Sequence, residues 1–497
     1  MNSGERGYEL HYGGQWRTAF ATRTIDVADS ASGSLLGRVP DAGGDDVAAA
    51  VAAAQAASGG WAALEPRDRA RHLAQLAEVV RARIGTLAEL ESSVTGRPIR
   101  EMRAQMGRIP EWLEYFGAIA MGLEGEANRV KGGFVTYTAY EPVGICALLT
   151  SWNHPVLIMV KKLAASLAAG NTCIIKPSEL APISSLVFAE WAREAGMPAG
   201  TINVVTGGAE TGALVCNAPG VGLIDLTGGT ATGRKVAAIA ASRLIPCTLE
   251  LGGKAPVIIF DDVTIDEASA GATFAAFIAA GQTCVSGARF LVSERIHDAF
   301  LEAFVGRAKR LRTGAPSDPA TDIGPVISAG ARDRCLGHIA AARSEGARLM
   351  CGGGAPALPD ALTRGHYVAP TIFAEVTPQM RIFREEVFGP VVSVTRFRDE
   401  AHALELANDS EFALGAGIWT RDVARAHRMA ANVRAGVIWI NDHHKNDPRS
   451  IWGGFGASGY GKENGWDALK NHMRKRSTVV RTAPAFDDWF AGGNRYG

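Results

Sequence analysis

Ile145-Cys146-Ala147-Leu148-Leu149-Thr150 opens a series of short apolar runs that continues with Thr172 to Lys176, Thr201 to Thr206, Gly222 to Thr227 and Cys247 to Leu251. Between them lie helix-length amphipathic stretches, Lys161 to Ala169, Ile183 to Ala195, Glu210 to Cys216 and Gly233 to Ser242. Apolar strands alternating with helices are the signature of βαβ units, whose right-handed crossovers build a parallel sheet covered on both faces. The spacing predicts a doubly wound α/β region of nucleotide-binding type. In such sheets a ligand sits beyond the carboxyl ends of the strands. The residues there are Trp152 and Asn153, Lys176 to Glu179, Gly228 and Gly229, and Glu250 to Lys254. One such junction alone would read as a turn. Four junctions with polar or Gly residues point to a site.

Working outward, Asp46 to Ala57 and Arg67 to Val94 read as long Ala-rich helices with Leu and Val at helical spacing, which makes them packing elements. A second alternating region runs from about Gly253 to Asn441, starting with a strand at Pro256 to Phe260 and a helix at Ala268 to Ala280. No repeat of fixed period is present. The tail from Phe486 to Gly497 supports no reading. At 497 residues the chain needs two or three domains.

Composition narrows the class. The 51 basic and 51 acidic residues cancel, and 47% of the chain is hydrophobic, which describes an ordinary globular protein and disfavours a nucleic-acid partner. The basic cluster Arg474 to Arg476 is short enough to be a solvated helix end. Met1 to Leu10 holds charges and Gly where an export signal needs an apolar run, and no stretch reaches the roughly 20 apolar residues of a membrane span. A cytoplasmic protein without membrane association is expected. The 7 cysteines form no CxxC pair, so reduced thiols are expected and zinc is not.

Gly281-Gln282-Thr283-Cys284 follows the Ala268 to Ala280 helix and presents a cysteine at a Gly-flanked turn. A lone cysteine is more often a core residue than a nucleophile. A carboxylate at a strand end, in Glu250-Leu251-Gly252-Gly253-Lys254, supplies the partner that a nucleophile needs. With Ser151 to Pro155, Lys176 to Glu179, Glu385 to Pro390 and Trp452 to Phe455 running on to Gly459, these motifs make the chain resemble the aldehyde dehydrogenase superfamily over nearly its whole length.

The resemblance implies an NAD-binding domain at 1–123 and 142–252, a catalytic domain at 253–457, and a small β oligomerisation element at 124–141 and 474–497. It implies a homodimer or homotetramer in which strands near Arg129 to Tyr140 and Ser477 to Thr482 pair across subunits. It further implies that Cys284 attacks an aldehyde, with the Asn153 amide and the Cys284 N–H as oxyanion donors. Loss of hydride would leave a thioester, which Glu250 hydrolyses by activating water. Lys176 and Glu179 match the adenosine-ribose contacts, Gly228 and Gly229 the pyrophosphate turn, and Glu386 with Phe388 the nicotinamide-ribose contacts. Trp152, Ser178 and Leu251 complete the cofactor set. The stretch from Gly228 to Gly233 is not GxGxxG, so it carries no weight alone. NAD is expected over NADP, because the Glu179 carboxylate can accept from a ribose 2′-OH and would repel a 2′-phosphate.

Family substrate-tunnel positions fall on His154, Lys161 and Trp452. Lys161 suits an acidic substrate if its charge is free, or pairs with a nearby carboxylate if it is not. Ile278 stands where succinate-semialdehyde enzymes carry Arg. The polar loop Asn441 to Asp447 adds tunnel contacts, its Asp-His-His run being too tight for a metal site. An aromatic aldehyde bearing a carboxylate or hydroxyl is the expected substrate. The competing readings are a CoA-acylating dehydrogenase, which Glu250 argues against, and a non-catalytic member of the fold.

Overall fold

The computed structural model describes residues 7–484, 486 and 488–494. The expectations for residues 1–6 and for 485, 487 and 495–497 therefore lie outside the described residues. Two large sheets carry the chain. The first has eight strands, in the order Gln15–Arg17, Leu10–Tyr12, Ile202–Val204, Thr172–Lys176, Ile145–Leu149, Val221–Thr227, Cys247–Glu250 and Gly459–Tyr460. Its five central strands are parallel and its edge pairings antiparallel. Ile145–Leu149 and Thr172–Lys176 are buried at every residue, as strands covered on both faces must be. From Ile145–Leu149 the chain winds outward to Ile202–Val204, then returns to Val221–Thr227 on the other side. That reversal opens the crevice in which such sheets bind ligands, between Thr150 to Asn153 and Gly228 to Gly229.

The second sheet has seven strands, in the order Arg348–Cys351, Thr371–Ala374, Val391–Phe397, Gly287–Ser293, Ala255–Ile259, Gly415–Trp419 and Val437–Ile440, parallel except at the first pair. A three-stranded sheet joins Met473–Arg481, Phe134–Pro142 and Ala127–Val130. The two stretches expected to form the oligomerisation element lie side by side in the chain, from Met473 against Pro142 to Arg481 against Phe134. Their aligned lengths and the intervening fold already bring them together.

Element boundaries moved for local reasons. The long upstream helix is two, Pro66–Arg81 and Ile84–Thr95, broken where Ala82 and Arg83 close the first with backbone bonds to Glu78 and Val80. The helix after Asn153 starts at Pro155 rather than Lys161, because proline at the first helical position has no N–H to satisfy and a suitable φ. The helix expected to reach Ala280 is Ile265–Phe277, followed by a tight turn at Ile278–Gly281. Ala279 and Ala280 in that turn have φ of 54° and 52°, a left-handed conformation that costs an L-residue about 1–2 kcal/mol. The chain accepts this immediately before Cys284.

Candidate active site

Glu250 ends a strand of the first sheet, while Cys284 lies three residues ahead of the strand Gly287–Ser293 in the second. Carboxyl ends of one sheet thus face amino ends of the other. Gly253 makes the close approach possible, since a Cβ there would overlap the Cys284 carbonyl oxygen. Gly453 does the same beside Glu250. It has φ of 138°, and a Cβ on it would collide with Glu250 Oε1.

The turn that carries Cys284 is held by Gln282. Its Nε2 donates to the Ala279 carbonyl at 3.1 Å, its Oε1 accepts from the Ile327 N–H at 2.9 Å, and its carbonyl accepts from Asn153 Nδ2 at 2.9 Å. Ser151 Oγ donates to Asn153 Oδ1 at 2.7 Å and so fixes which way the amide faces. Asn153 therefore keeps one amide hydrogen of Nδ2 beyond its bond to Gln282, directed from a buried and oriented group.

Burial pushes the Cys284 thiol up to about 12, with Glu250 adding to the rise and Lys161 opposing it. The resting residue is a neutral thiol. Glu250 is 4% exposed, its Oε1 has no hydrogen-bond partner among the described residues, and burial followed by repulsion from Glu463 holds its carboxyl well above the usual range. A buried carboxylate with an open oxygen and raised basicity suits general-base work.

Behind Glu250 lies a buried charge cluster. Glu463 receives Lys161 Nζ on Oε2 at 2.6 Å and Lys162 Nζ on Oε1 at 2.5 Å, and Lys162 also reaches Asp225 Oδ1 at 2.5 Å. Burial alone would raise the Glu463 carboxyl, but the two ammonium groups hold it well below its usual range. Lys161 also sits over the Trp452 ring, 4.7 Å from its centre, and Trp452 bonds Glu463 through both backbone directions at 2.7 and 2.8 Å. Of the two readings of Lys161, the ion-paired one describes the resting chain.

The expected cofactor residues fall into two groups. Lys176 Nζ lies 3.6 Å from Glu179 Oε2, with Ser178 Oγ 3.5 Å from the same oxygen. The helix Thr230–Arg243 begins after exposed Gly229 with no side-chain cap, which leaves its first N–H groups and positive dipole end open to an anion. Near Cys284, Glu386 Oε1 accepts from the Gly253 N–H at 2.8 Å, and Trp152 meets Phe388 edge to face at 5.3 Å. Leu251 packs against Gly233 on the first turn of that helix. A carboxylate at each end and an uncapped helix between them form a donor and acceptor set that fits a dinucleotide.

Several contributors escaped sequence reasoning. Gln282 and Ser151 sit inside quoted motifs but had no role assigned. Glu463 lies in a polar stretch with no local pattern and becomes visible only when Lys161 and Lys162 point at it from one helix. Arg97, buried at 3% exposure, donates to the Asn153 carbonyl at 3.1 Å from the far amino-terminal region. Among the described residues no cluster of three or more His, Cys, Asp or Glu is placed to hold a metal ion, and no helix is long and apolar enough to cross a membrane. His443 Nε2 instead meets the Val285 carbonyl at 2.6 Å.

The model of the aldehyde dehydrogenase family matches residues 16–478. The fold superimposes on PnpE from Pseudomonas sp. WBC-3 with a TM-score of 0.95 at 41% identity, covering 98% of this chain and 100% of that one. It superimposes on an NAD-dependent aldehyde dehydrogenase from Sinorhizobium meliloti with a TM-score of 0.95 at 34% identity, covering 98% and 97%. For the betaine aldehyde dehydrogenase of Staphylococcus aureus in complex with NAD+, the TM-score is 0.94 at 33% identity, covering 97% and 96%. The chain belongs to the aldehyde dehydrogenase family.

Proposed function

We propose that this enzyme oxidises an aldehyde to the free carboxylic acid with NAD and water, through a thioester on Cys284. The observation that carries the reading is the buried, basic Glu250 carboxylate set against Gly453, its Oε1 without a partner among the described residues and its charge felt by Cys284. Cys284 gives up its proton to solvent, and the thiolate adds to the aldehyde carbon. Asn153 Nδ2 and the Cys284 N–H donate to the oxygen as it takes up charge, an interaction worth about 3–4 kcal/mol at the barrier. NAD, held by Lys176, Ser178, Glu179, Gly228, Gly229, Leu251, Glu386, Phe388 and Trp152, supplies the hydride acceptor. Glu250 then removes a proton from water as it attacks the thioester, and Cys284 leaves as thiolate. Glu179 favours NAD over NADP, since a 2′-phosphate would face its carboxylate.

The substrate is an aromatic aldehyde carrying a carboxylate or hydroxyl, a reading supported by the Trp452 ring at the tunnel position beside the site. The enzyme acts as a homodimer or homotetramer, supported by the three-stranded sheet, whose edge strand leaves Val479 and Val480 62% and 42% exposed. Seven free cysteines fit a reducing compartment, and we place the protein in the cytoplasm on that chemistry.

The test is product analysis. With NAD, a panel of aromatic and aliphatic aldehydes and added CoA, the expected product is free acid with one NADH per aldehyde. Formation of acyl-CoA would overturn the hydrolytic reading, and no NADH with any aldehyde would overturn catalysis itself.

A further inference from the structure

His154 follows Asn153 directly and is 6% exposed. Its Nδ1 lies 2.6 Å from Arg97 Nη1 and 2.7 Å from Gln105 Nε2. A guanidinium can only donate. The Gln105 oxygen is already taken by Arg97 Nη1 at 2.9 Å, so the amide nitrogen faces the imidazole. Nδ1 must therefore be the acceptor, and the proton of the ring sits on Nε2. Burial, followed by the charge of Arg97, holds the imidazole well below its usual pKa, so the ring carries that single proton.

The Nε2–H so fixed is buried and meets no acceptor among the described residues. Buried donors are paired in the great majority of cases, and one left open beside a reaction centre needs a reason. The neighbouring polar groups are already engaged. The His444 ring lies 6.1 Å from that of His154, and its Nε2 meets Thr283 Oγ1, next to Cys284, at 3.0 Å. Lys161 is taken by Glu463 at 2.6 Å. His154 adds to this wall a buried ring donor that no group among the described residues uses.

We propose that His154 is a specificity-determining residue whose Nε2–H donates to an acceptor oxygen carried by the aldehyde substrate away from its reacting carbonyl. Arg97 and Gln105 are positioning residues that keep the proton on Nε2. Carboxylate, hydroxyl and carbonyl substituents satisfy the donor, while a hydrocarbon of the same shape leaves it bare. The inference rests on the dehydrogenase reading and narrows its substrate class.

The experiment uses the full chain with NAD and matched pairs of benzaldehydes bearing carboxyl or hydroxyl against methyl at the 3- and 4-positions. The quantity read is the ratio of kcat/KM within each pair. Wild type should prefer the oxygen-bearing member of at least one pair by about 10- to 100-fold. In His154→Phe, which keeps a ring and removes the donor, that ratio should collapse, chiefly through KM. His154→Gln, which restores an N–H, should recover part of it. An unchanged ratio in His154→Phe, or no preference in wild type across all pairs, overturns the inference while leaving aldehyde oxidation standing. A wild type that yields no NADH from any aldehyde removes the dehydrogenase reading and the inference with it. Nitrogen-15 NMR of histidine-labelled wild type, with His154 assigned from the Gln variant, should show a neutral Nε2–H ring at pH 7. An Nδ1–H tautomer or an imidazolium there overturns the proposal independently of turnover.

Discussion

The two sheets approach the reaction centre with opposite ends. The first offers strand carboxyl ends, which place Asn153 and Glu250 just past Ile145–Leu149 and on the last residue of Cys247–Glu250. The second offers strand amino ends, with Gly253, Cys284 and Phe388 standing just ahead of Ala255–Ile259, Gly287–Ser293 and Val391–Phe397. The difference is one of warrant. A carboxyl-end site follows from how doubly wound sheets bind ligands, whereas nothing general places a nucleophile ahead of a strand. The second sheet reaches its position through close backbone approach, at Gly253 under the Cys284 carbonyl, and through left-handed alanines at 279 and 280.

This division puts the nucleophile on the second sheet and the hydrolytic base, with one oxyanion donor, on the first, and two substitutions separate nucleophile from base with the largest expected effects. Cys284→Ala should lower turnover by about 10⁴-fold or more and abolish any burst of NADH. Glu250→Gln should lower steady-state turnover by about 10²–10⁴-fold while retaining a burst approaching one NADH per site, because the thioester forms and then persists. Rapid mixing with absorbance at the NADH band distinguishes the two. A Glu250→Gln enzyme with neither burst nor turnover would mean that Glu250 is also indispensable for making the thiolate, and the division would fail.

The same asymmetry governs what could be read in advance. The five parallel strands of the first sheet were legible because each is a short apolar run buried on both faces, and their ends pointed to Asn153, Lys176 and Glu250. Cys284 became legible only through its motif and its company. Beyond reach were groups whose roles depend on distant chain: Glu463, meeting Lys161 and Lys162 from near the carboxyl terminus, and Arg97, reaching Asn153 and His154 from the amino-terminal helices. Single ionisable residues in polar stretches carry no periodicity, so only the tertiary fold reveals that they are buried. Local conformation hid the turn at Ile278–Gly281 as well. Ala279 and Ala280 favour helix, and it is tertiary bonding through Gln282 that holds them out of it.

A smaller effect, within the first sheet, comes from the oxyanion donor. Asn153→Ala should reduce kcat by about 10²–10³-fold with KM changing much less, since the amide acts on charge that develops only during reaction. Steady-state kinetics measures the split. A loss confined to KM would make Asn153 a substrate-binding group and remove the first sheet's share in the attack step.

The smallest effect probes the second sheet away from its nucleophile. Burial raises the Glu386 carboxyl to about 7 against an ordinary 4.5, although the Gly253 N–H and Lys254 pull the other way. A carboxyl raised by folding favours the native state fully below its unfolded value, and that contribution is lost as pH rises through the folded value. Wild type should therefore lose stability between pH 4.5 and about 7 from this group, and Glu386→Gln should not. The difference in Tm, variant minus wild type, should grow across that window by about 1–3 °C and level off above it. The same substitution should raise KM for NAD by about tenfold, because a neutral amide accepts a ribose hydroxyl more weakly than a carboxylate. Thermal melts at half-unit pH steps supply the decisive comparison. Parallel Tm curves would show that Glu386 keeps its charge in the fold, and the amino-end side would then confront the cofactor with a fixed carboxylate instead of one that titrates near neutrality.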